Sequence, residues 1–87
     1  MKKLVTVTEV DGEGFEGLMG LRITLFCVNY IYTGQLTGIN DNYVKLESAA
    51  IVYETGSFGE KEWQDAQSLP SPVYVMKSAI ESFMVLK

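Results

Sequence analysis

Residues 21–39 decide the fold, and they read LRITLFCVNYIYTGQLTGI. Apolar side chains recur at every second position over the first eight residues, which is the period of a β-strand with one buried face. Asn29-Tyr30 then predicts a tight turn, because asparagine tolerates left-handed backbone angles. The stretch is therefore predicted to be a strand, a turn and a returning strand. The side chains on the predicted buried face of the first strand are Leu21, Ile23, Leu25 and Cys27.

The returning strand carries a glycine in its interior. Tyr32, Gly34 and Leu36 share one face, and a glycine inside a strand indicates a sharp bend, a bulge or a close approach of two backbones. The next three residues read Asn-Asp-Asn and predict a turn. A third strand over 43–55 is long enough to bend, with a break expected near Ala49-Ala50.

Further strands are predicted on both sides of this meander. Residues 4–10 alternate apolar residues with threonine, which indicates a short strand, and a glycine-rich loop follows. The whole pattern predicts one mostly β domain over 1–87, a small, strongly bent five-stranded barrel with an extra N-terminal strand-like segment. The predicted strands are 4–10, 21–28, 30–39, 43–55, 73–77 and 79–86.

A short helix or loop insertion is expected near 57–68. Ser57 is followed three residues later by Glu60, which is the spacing of a capping box and favours a helix over 60–67. Trp63 would then anchor this insertion to the barrel.

The composition excludes most catalytic centres. The chain has 87 residues, no histidine and one cysteine. Without histidine there is no Ser-His-Asp or Cys-His triad and no imidazole metal site. A single cysteine excludes an internal disulfide and a thiolate zinc cluster, and it fits a reducing compartment. We therefore expect a protein that is not an enzyme and that holds no metal or cofactor.

Charge and hydropathy restrict the partners. The formal net charge is −4, which argues against neutralisation of many phosphates, so we do not expect duplex DNA to bind. No apolar run approaches the ~20 residues that span a bilayer, and the first residues lack an apolar segment of signal-peptide length. We expect a cytoplasmic protein that does not bind membranes.

The glycine-rich loop contains two partial motifs. Gly12, Gly14 and Gly17 have the spacing of a dinucleotide fingerprint, but a strand follows where that fingerprint needs a helix. The acidic residues around them suggest a calcium loop, but Arg22 stands where such a loop needs a glutamate. A solvated acidic loop is the better interpretation.

A wider pattern extends over all the strands. Its segments are Leu21-x-Ile23-x-Leu25, Tyr32-x-Gly34-x-Leu36, Gly38-Ile39-Asn40, Tyr43-Val44-x-Leu46 and Met76-Lys77-Ser78-Ala79-Ile80. In order and spacing, these segments resemble the two motifs of the Sm-like family, which includes the Sm and LSm proteins and bacterial Hfq. The resemblance covers about 21–53 and 73–83. Other small barrels, SH3-like or OB-like, are the alternative folds.

The resemblance implies a five-stranded Sm-like (SH3-type) barrel that assembles into a homo-oligomeric ring. In that family the fourth strand of one copy pairs with the fifth strand of its neighbour. Such pairing is physically reasonable here, because it removes open sheet edges and adds buried area to a short chain. The subunit-interface residues that this implies are Val73, Val75, Met76, Ile80, Phe83 and Val85.

The resemblance also implies a site for single-stranded RNA at two loops. Carried over, its residues are Asn40, Asp41, Asn42, Tyr43, Lys77 and Ser78. The chain departs from the family here, since Asn40 replaces an aspartate and Ser78 replaces the histidine of Hfq. Because the chain is acidic, a structural or protein-binding ring with no nucleic-acid role is the alternative function.

Overall fold

A computed structural model describes residues 12–87, and these residues are mostly β. The predicted strand over 4–10 lies outside the described residues. The strands at 21–28, 30–39, 43–55, 73–77 and 79–86 are confirmed to within one residue at each end. The elements are α1 Gly14–Gly17, β1 Arg22–Cys27, β2 Ile31–Ile39, β3 Tyr43–Glu54, β4 Asp65–Ser68, β5 Val73–Met76, a 3₁₀ turn Lys77–Ala79 and β6 Ile80–Val85.

The six described strands form one antiparallel sheet in the order β4-β3-β2-β1-β6, with β5 also paired to β3. β5 lies beside residues 43–46 of β3, and β4 lies beside residues 50–54 of the same strand. The described residues therefore contain six strands, one more than the five predicted among them. The sheet is curled and not closed, because β5 and β6 do not pair with each other among the described residues.

The 3₁₀ turn forces the sheet to curl. β5 and β6 lie at opposite edges, four strand spacings apart, which is about 19 Å in a flat sheet. The four Cα-to-Cα steps from Met76 to Ile80 span at most about 14 Å even when fully extended. The turn is also bonded on both sides, since the Lys77 N–H donates to Asn42 O (2.8 Å) and the Val28 N–H donates to Ala79 O (3.0 Å).

The bend is located at Gly34, as its position in the strand predicts. The β2–β3 register shifts between Thr33 and Gln35, and Ser48 on the facing strand has a φ of 48°. A Cβ at Gly34 would lie 3.1 Å from Ala49 Cα and 3.1 Å from the Glu47 carbonyl oxygen. These distances are shorter than a Cβ normally makes, so a side chain here would require the facing backbone to shift. The break expected near Ala49 is a bulge in a continuous strand.

The main core lies on the concave side of this curl. Its buried side chains come from β1, β2, β3 and β5, with Phe15, Leu18 and Phe83 packed against them. The buried core residues are Ile23, Leu25, Leu36, Val44, Leu46, Ala49 and Val75.

Cys27 is only partly buried, although the sequence pattern predicts a buried position. It packs against the core with Ile23 and Leu25, so the predicted face is correct for these three residues, but Leu21, also predicted on that face, is 46% exposed. The β1–β6 register shifts between Phe26 and Cys27, which leaves the thiol at the margin of the core. Burial raises the pKa of the Cys27 thiol, and the nearby carboxylate of Glu81 raises that pKa further.

The convex side carries a smaller buried region around two threonines. Thr24 and Thr33 are buried, and their hydroxyl oxygens lie 3.3 Å apart. The Thr33 hydroxyl donates to the main-chain oxygen of Lys87 (2.9 Å). The same oxygen accepts a hydrogen bond from the indole N–H of Trp63 (2.7 Å), so Trp63 anchors the insertion to the sheet, as predicted.

The helix predicted over 60–67 is wrong. Residues 55–64 form a loop, and Asp65–Ser68 forms β4 beside β3. Ser57 and Glu60 make a single turn, in which the Glu60 N–H donates to Ser57 O (3.1 Å). Pairing with β3 gives the backbone of residues 65–68 hydrogen-bond partners that a short exposed helix would obtain only locally, and this long-range pairing overrides the local helix signal.

Replacing Gly34 by alanine is expected to lower the free energy of unfolding by about 1–3 kcal/mol, since the added methyl meets backbone that cannot move without breaking the bulge. Gly59→Ala is the control, because only Ser57 Oγ lies near its Cβ position, at 3.7 Å. Chemical denaturation measures both variants. Equal stability of the two would contradict the close approach at Gly34.

The Cys27 thiol is expected to react slowly with a thiol reagent in the native protein at neutral pH and fast in denaturant. Its raised pKa keeps the thiol protonated, so the native rate should rise only above the ordinary thiol pKa. Glu81→Gln removes one cause of the raised pKa and should move that rise to lower pH. Rates measured across pH test this, and a native rate equal to the denatured rate at pH 7 would contradict it.

Candidate functional site

The structure brings the two predicted loops together. The Lys77 N–H donates to Asn42 O at 2.8 Å, and Tyr43 is paired with Met76 in the β3–β5 register. Residues 35 and 33 positions apart in the sequence thus become neighbours. One end of the β3–β5 pair carries Asn42, Tyr43 and Lys77. We call these three residues the joined loops.

Asn40 holds the first of these loops in shape. Its side-chain Oδ1 accepts hydrogen bonds from the N–H groups of Asn42 (2.8 Å) and Tyr43 (2.9 Å). The Asn40 N–H in turn donates to Tyr43 O at 3.0 Å. This is the local turn that asparagine favours. Because its side-chain oxygen accepts two hydrogen bonds within the turn, Asn40 can offer a ligand only the N–H donors of its side-chain amide. The next two residues, Asp41 and Asn42, are exposed.

Lys77 is held against an aromatic stack that the sequence did not reveal. Its ammonium nitrogen lies 5.7 Å from the ring centroid of Phe15, and Phe15 stacks on Phe83 with centroids 3.9 Å apart. A cation over an aromatic face is worth about 0.5–1 kcal/mol at an exposed site. Phe15 belongs to α1, where the sequence predicted only a loop. Ser78, beside Lys77, is exposed.

Tyr74 and Lys45 are also part of this region, and the sequence analysis did not select them. The rings of Tyr43 and Tyr74 meet edge to face with centroids 5.2 Å apart. The Lys45 ammonium lies 5.8 Å from the centroid of Tyr74. A signal for Tyr74 was present, because alternation in Val73–Met76 sends the valines inward and Tyr74 and Met76 outward. The register that places Lys45 opposite Tyr74 is a long-range property.

The six predicted interface residues differ in exposure. Val75 is part of the protomer's own core, while Val73, Ile80 and Phe83 are half-buried. Met76 is 52% exposed and Val85 is 58% exposed. The exposed pair lies on β5 and β6, which, like β4, each have one partner in the described sheet.

A scan of protein-family models, a search of curated proteins and a search of solved structures each found no match to this chain. Within residues 12–87, no helix is long and apolar enough to cross a membrane. The same residues bring no three cysteine or carboxylate side chains together in a way that could hold a metal ion.

Proposed function

We propose that this chain is a non-catalytic protein that assembles into a homo-oligomeric Sm-like ring through its sheet edges. The observation that carries the proposal is the pair of open edges. β5 pairs only with β3, and β6 pairs only with β1, among the described strands. Open edges with unpaired backbone groups favour pairing with another chain. An antiparallel β5–β6 contact between copies uses both edges at once.

The strand order supports the Sm-like interpretation. β1, β2, β3, β5 and β6 correspond to the five strands that the resemblance implies, and a 3₁₀ turn connects the last two. β4 is then an addition between the third and fourth strands. In this proposal the contact between β5 of one copy and β6 of the next completes the barrel-like arrangement that the single chain leaves open.

The side chains at the edges support the same contact. Tyr74 and Met76 on β5, and Met84 and Val85 on β6, are each more than half exposed. Large apolar side chains grouped on open strands indicate an interaction surface, whereas isolated exposed ones do not. Pairing of β5 with β6 would cover part of this area.

We further propose that the assembled ring binds short single-stranded RNA at the joined loops. The specific observation is the main-chain hydrogen bond from Lys77 to Asn42, which brings the two loops together and places Asn42, Tyr43 and Lys77 at one end of the β3–β5 pair. A base can stack on an aromatic ring while the lysine meets a phosphate. The net charge of −4 restricts this contact to a few phosphates in each copy. A protein-binding ring is the alternative.

Val85→Lys is expected to reduce the assembly to single chains, because a lysine on an open edge prevents strand pairing. Val28→Lys is a matched control, since Val28 is 67% exposed and lies outside the strands. Native mass spectrometry gives the mass of each variant, and circular dichroism confirms that each is folded. A wild-type protein that is a folded monomer at micromolar concentration would refute edge pairing.

Lys77→Ala is expected to weaken RNA binding and to reduce the slope of log affinity against log salt by about 0.7, the value for one phosphate on a single strand. Tyr43→Ala should weaken binding by about 1–3 kcal/mol and leave the slope unchanged. Lys61→Ala is the control. Labelled uridine-rich and adenosine-rich oligomers are titrated at low salt. If the wild-type ring binds no oligomer at about 100 µM, the weak limit of sequence-independent binding, the RNA function is wrong and the protein-binding ring is the remaining function.

A further inference from the structure

One side of the β3–β5 pair carries four side chains, of which Tyr74 and Met76 also lie on the strand edge of the proposed assembly. In the register, Tyr43 is opposite Met76 and Lys45 is opposite Tyr74. Their neighbours Val44, Leu46 and Val75 point into the core. Strand alternation therefore places the four on the other side. We call this surface, Tyr43, Lys45, Tyr74 and Met76, the outer face.

Two features of the outer face point to a ligand. Tyr74 is 56% exposed, and an exposure this high leaves most of its large apolar ring in water. The ring also makes two contacts that orient it, an edge contact with the ring of Tyr43 (5.2 Å between centroids) and the approach of the Lys45 ammonium to 5.8 Å from its centroid. An exposed ring oriented in this way is a stacking platform that loses little conformational freedom on binding.

The charge on this face favours an anionic ligand with few charges. Arg22 donates to Ser48 O and Lys87 donates to Ser57 O, so these two cations are engaged elsewhere. The ammonium group of Lys45 instead lies over the Tyr74 ring on the outer face, whereas that of Lys77 lies over Phe15, which packs against the core. Glu47, two residues beyond Lys45 on the same side of β3, limits the number of phosphates that this face can meet.

We propose that the outer face extends the RNA site, with a base stacked on Tyr74 and a phosphate bound by Lys45. Tyr43 belongs both to the joined loops and to the outer face, so one strand can pass from Lys77 across Tyr43 to Tyr74. The occupant is single-stranded, because bases inside a duplex offer no free face for stacking. This inference rests on the RNA-binding function proposed above.

The test measures binding of labelled uridine-rich and adenosine-rich oligomers of about 12 nucleotides, which is within the range of known single-strand sites. Tyr74→Ala should weaken binding about tenfold, and Tyr74→Phe, which keeps the ring, should bind like the wild type. Tyr53→Ala is the matched control, because Tyr53 is 59% exposed and lies at the other end of β3. It should leave the affinity unchanged.

Lys45→Ala gives a second, independent readout. It should reduce the slope of log affinity against log salt by about 0.7, and Lys61→Ala should leave the slope unchanged. Native mass spectrometry of every variant shows whether the assembly is intact. If Tyr74→Ala dissociates the ring, two other measurements decide whether the outer face binds RNA. They are the slope of log affinity against log salt for Lys45→Ala and the affinity of Tyr74→Phe.

The outcomes separate this inference from the function on which it rests. Weaker binding in Tyr74→Ala together with a smaller slope in Lys45→Ala supports it. If the wild type binds and Lys77→Ala weakens binding, but Tyr74→Ala and Lys45→Ala behave as the wild type, the RNA site ends at the joined loops and the inference is wrong. If the wild type binds no RNA, both the RNA function and this inference are wrong, and a protein partner is the remaining occupant of the face.

Discussion

The 3₁₀ turn Lys77–Ala79 is hydrogen-bonded to the loops at both ends of β2, and the rest of the fold depends on these two hydrogen bonds. The turn meets Asn42 just after β2 and Val28 just before it. The nine residues of β2 would extend over about 30 Å if the strand were straight. The two ends of a three-residue turn are at most about 7 Å apart. β2 must therefore bend, and the register shifts beside Gly34 and Gly38 are where it does so.

The same bend produces both the core and the functional surfaces. Curling the sheet encloses Ile23, Leu25 and Leu36 on the concave side. It carries the loop after β2 to the turn before β6, which joins Asn42 to Lys77. It also leaves β5 and β6 as edges that their own chain does not cover. The assembly, the RNA contact and the stacking platform at Tyr74 that we propose would in this way all follow from one constraint on the backbone.

The sequence predicted the parts of this structure that depend on local patterns. The alternation over 21–28, the glycine at position 34 and the Asn-Asp-Asn turn each act within a few residues, and the strand, the bulge and the turn that they predict were confirmed. β4 was missed because the sequence Asp-Ala-Gln-Ser has no strand signal of its own and pairs only where β3 is already present. Phe15 and Lys45 were missed for a related reason, since their contacts with Phe83 and Tyr74 depend on long-range register.

Pairing of β5 with β6 between copies is the central claim, and hydrogen exchange measured at two protein concentrations tests it most directly. Amides on an open strand edge exchange fast, and pairing with another chain protects them. Edge pairing predicts that peptides covering Val73–Met76 and Ile80–Val85 are protected at high concentration and lose that protection on dilution, while peptides from β2 do not change. Exchange in β5 and β6 that is fast and independent of concentration would contradict the claim.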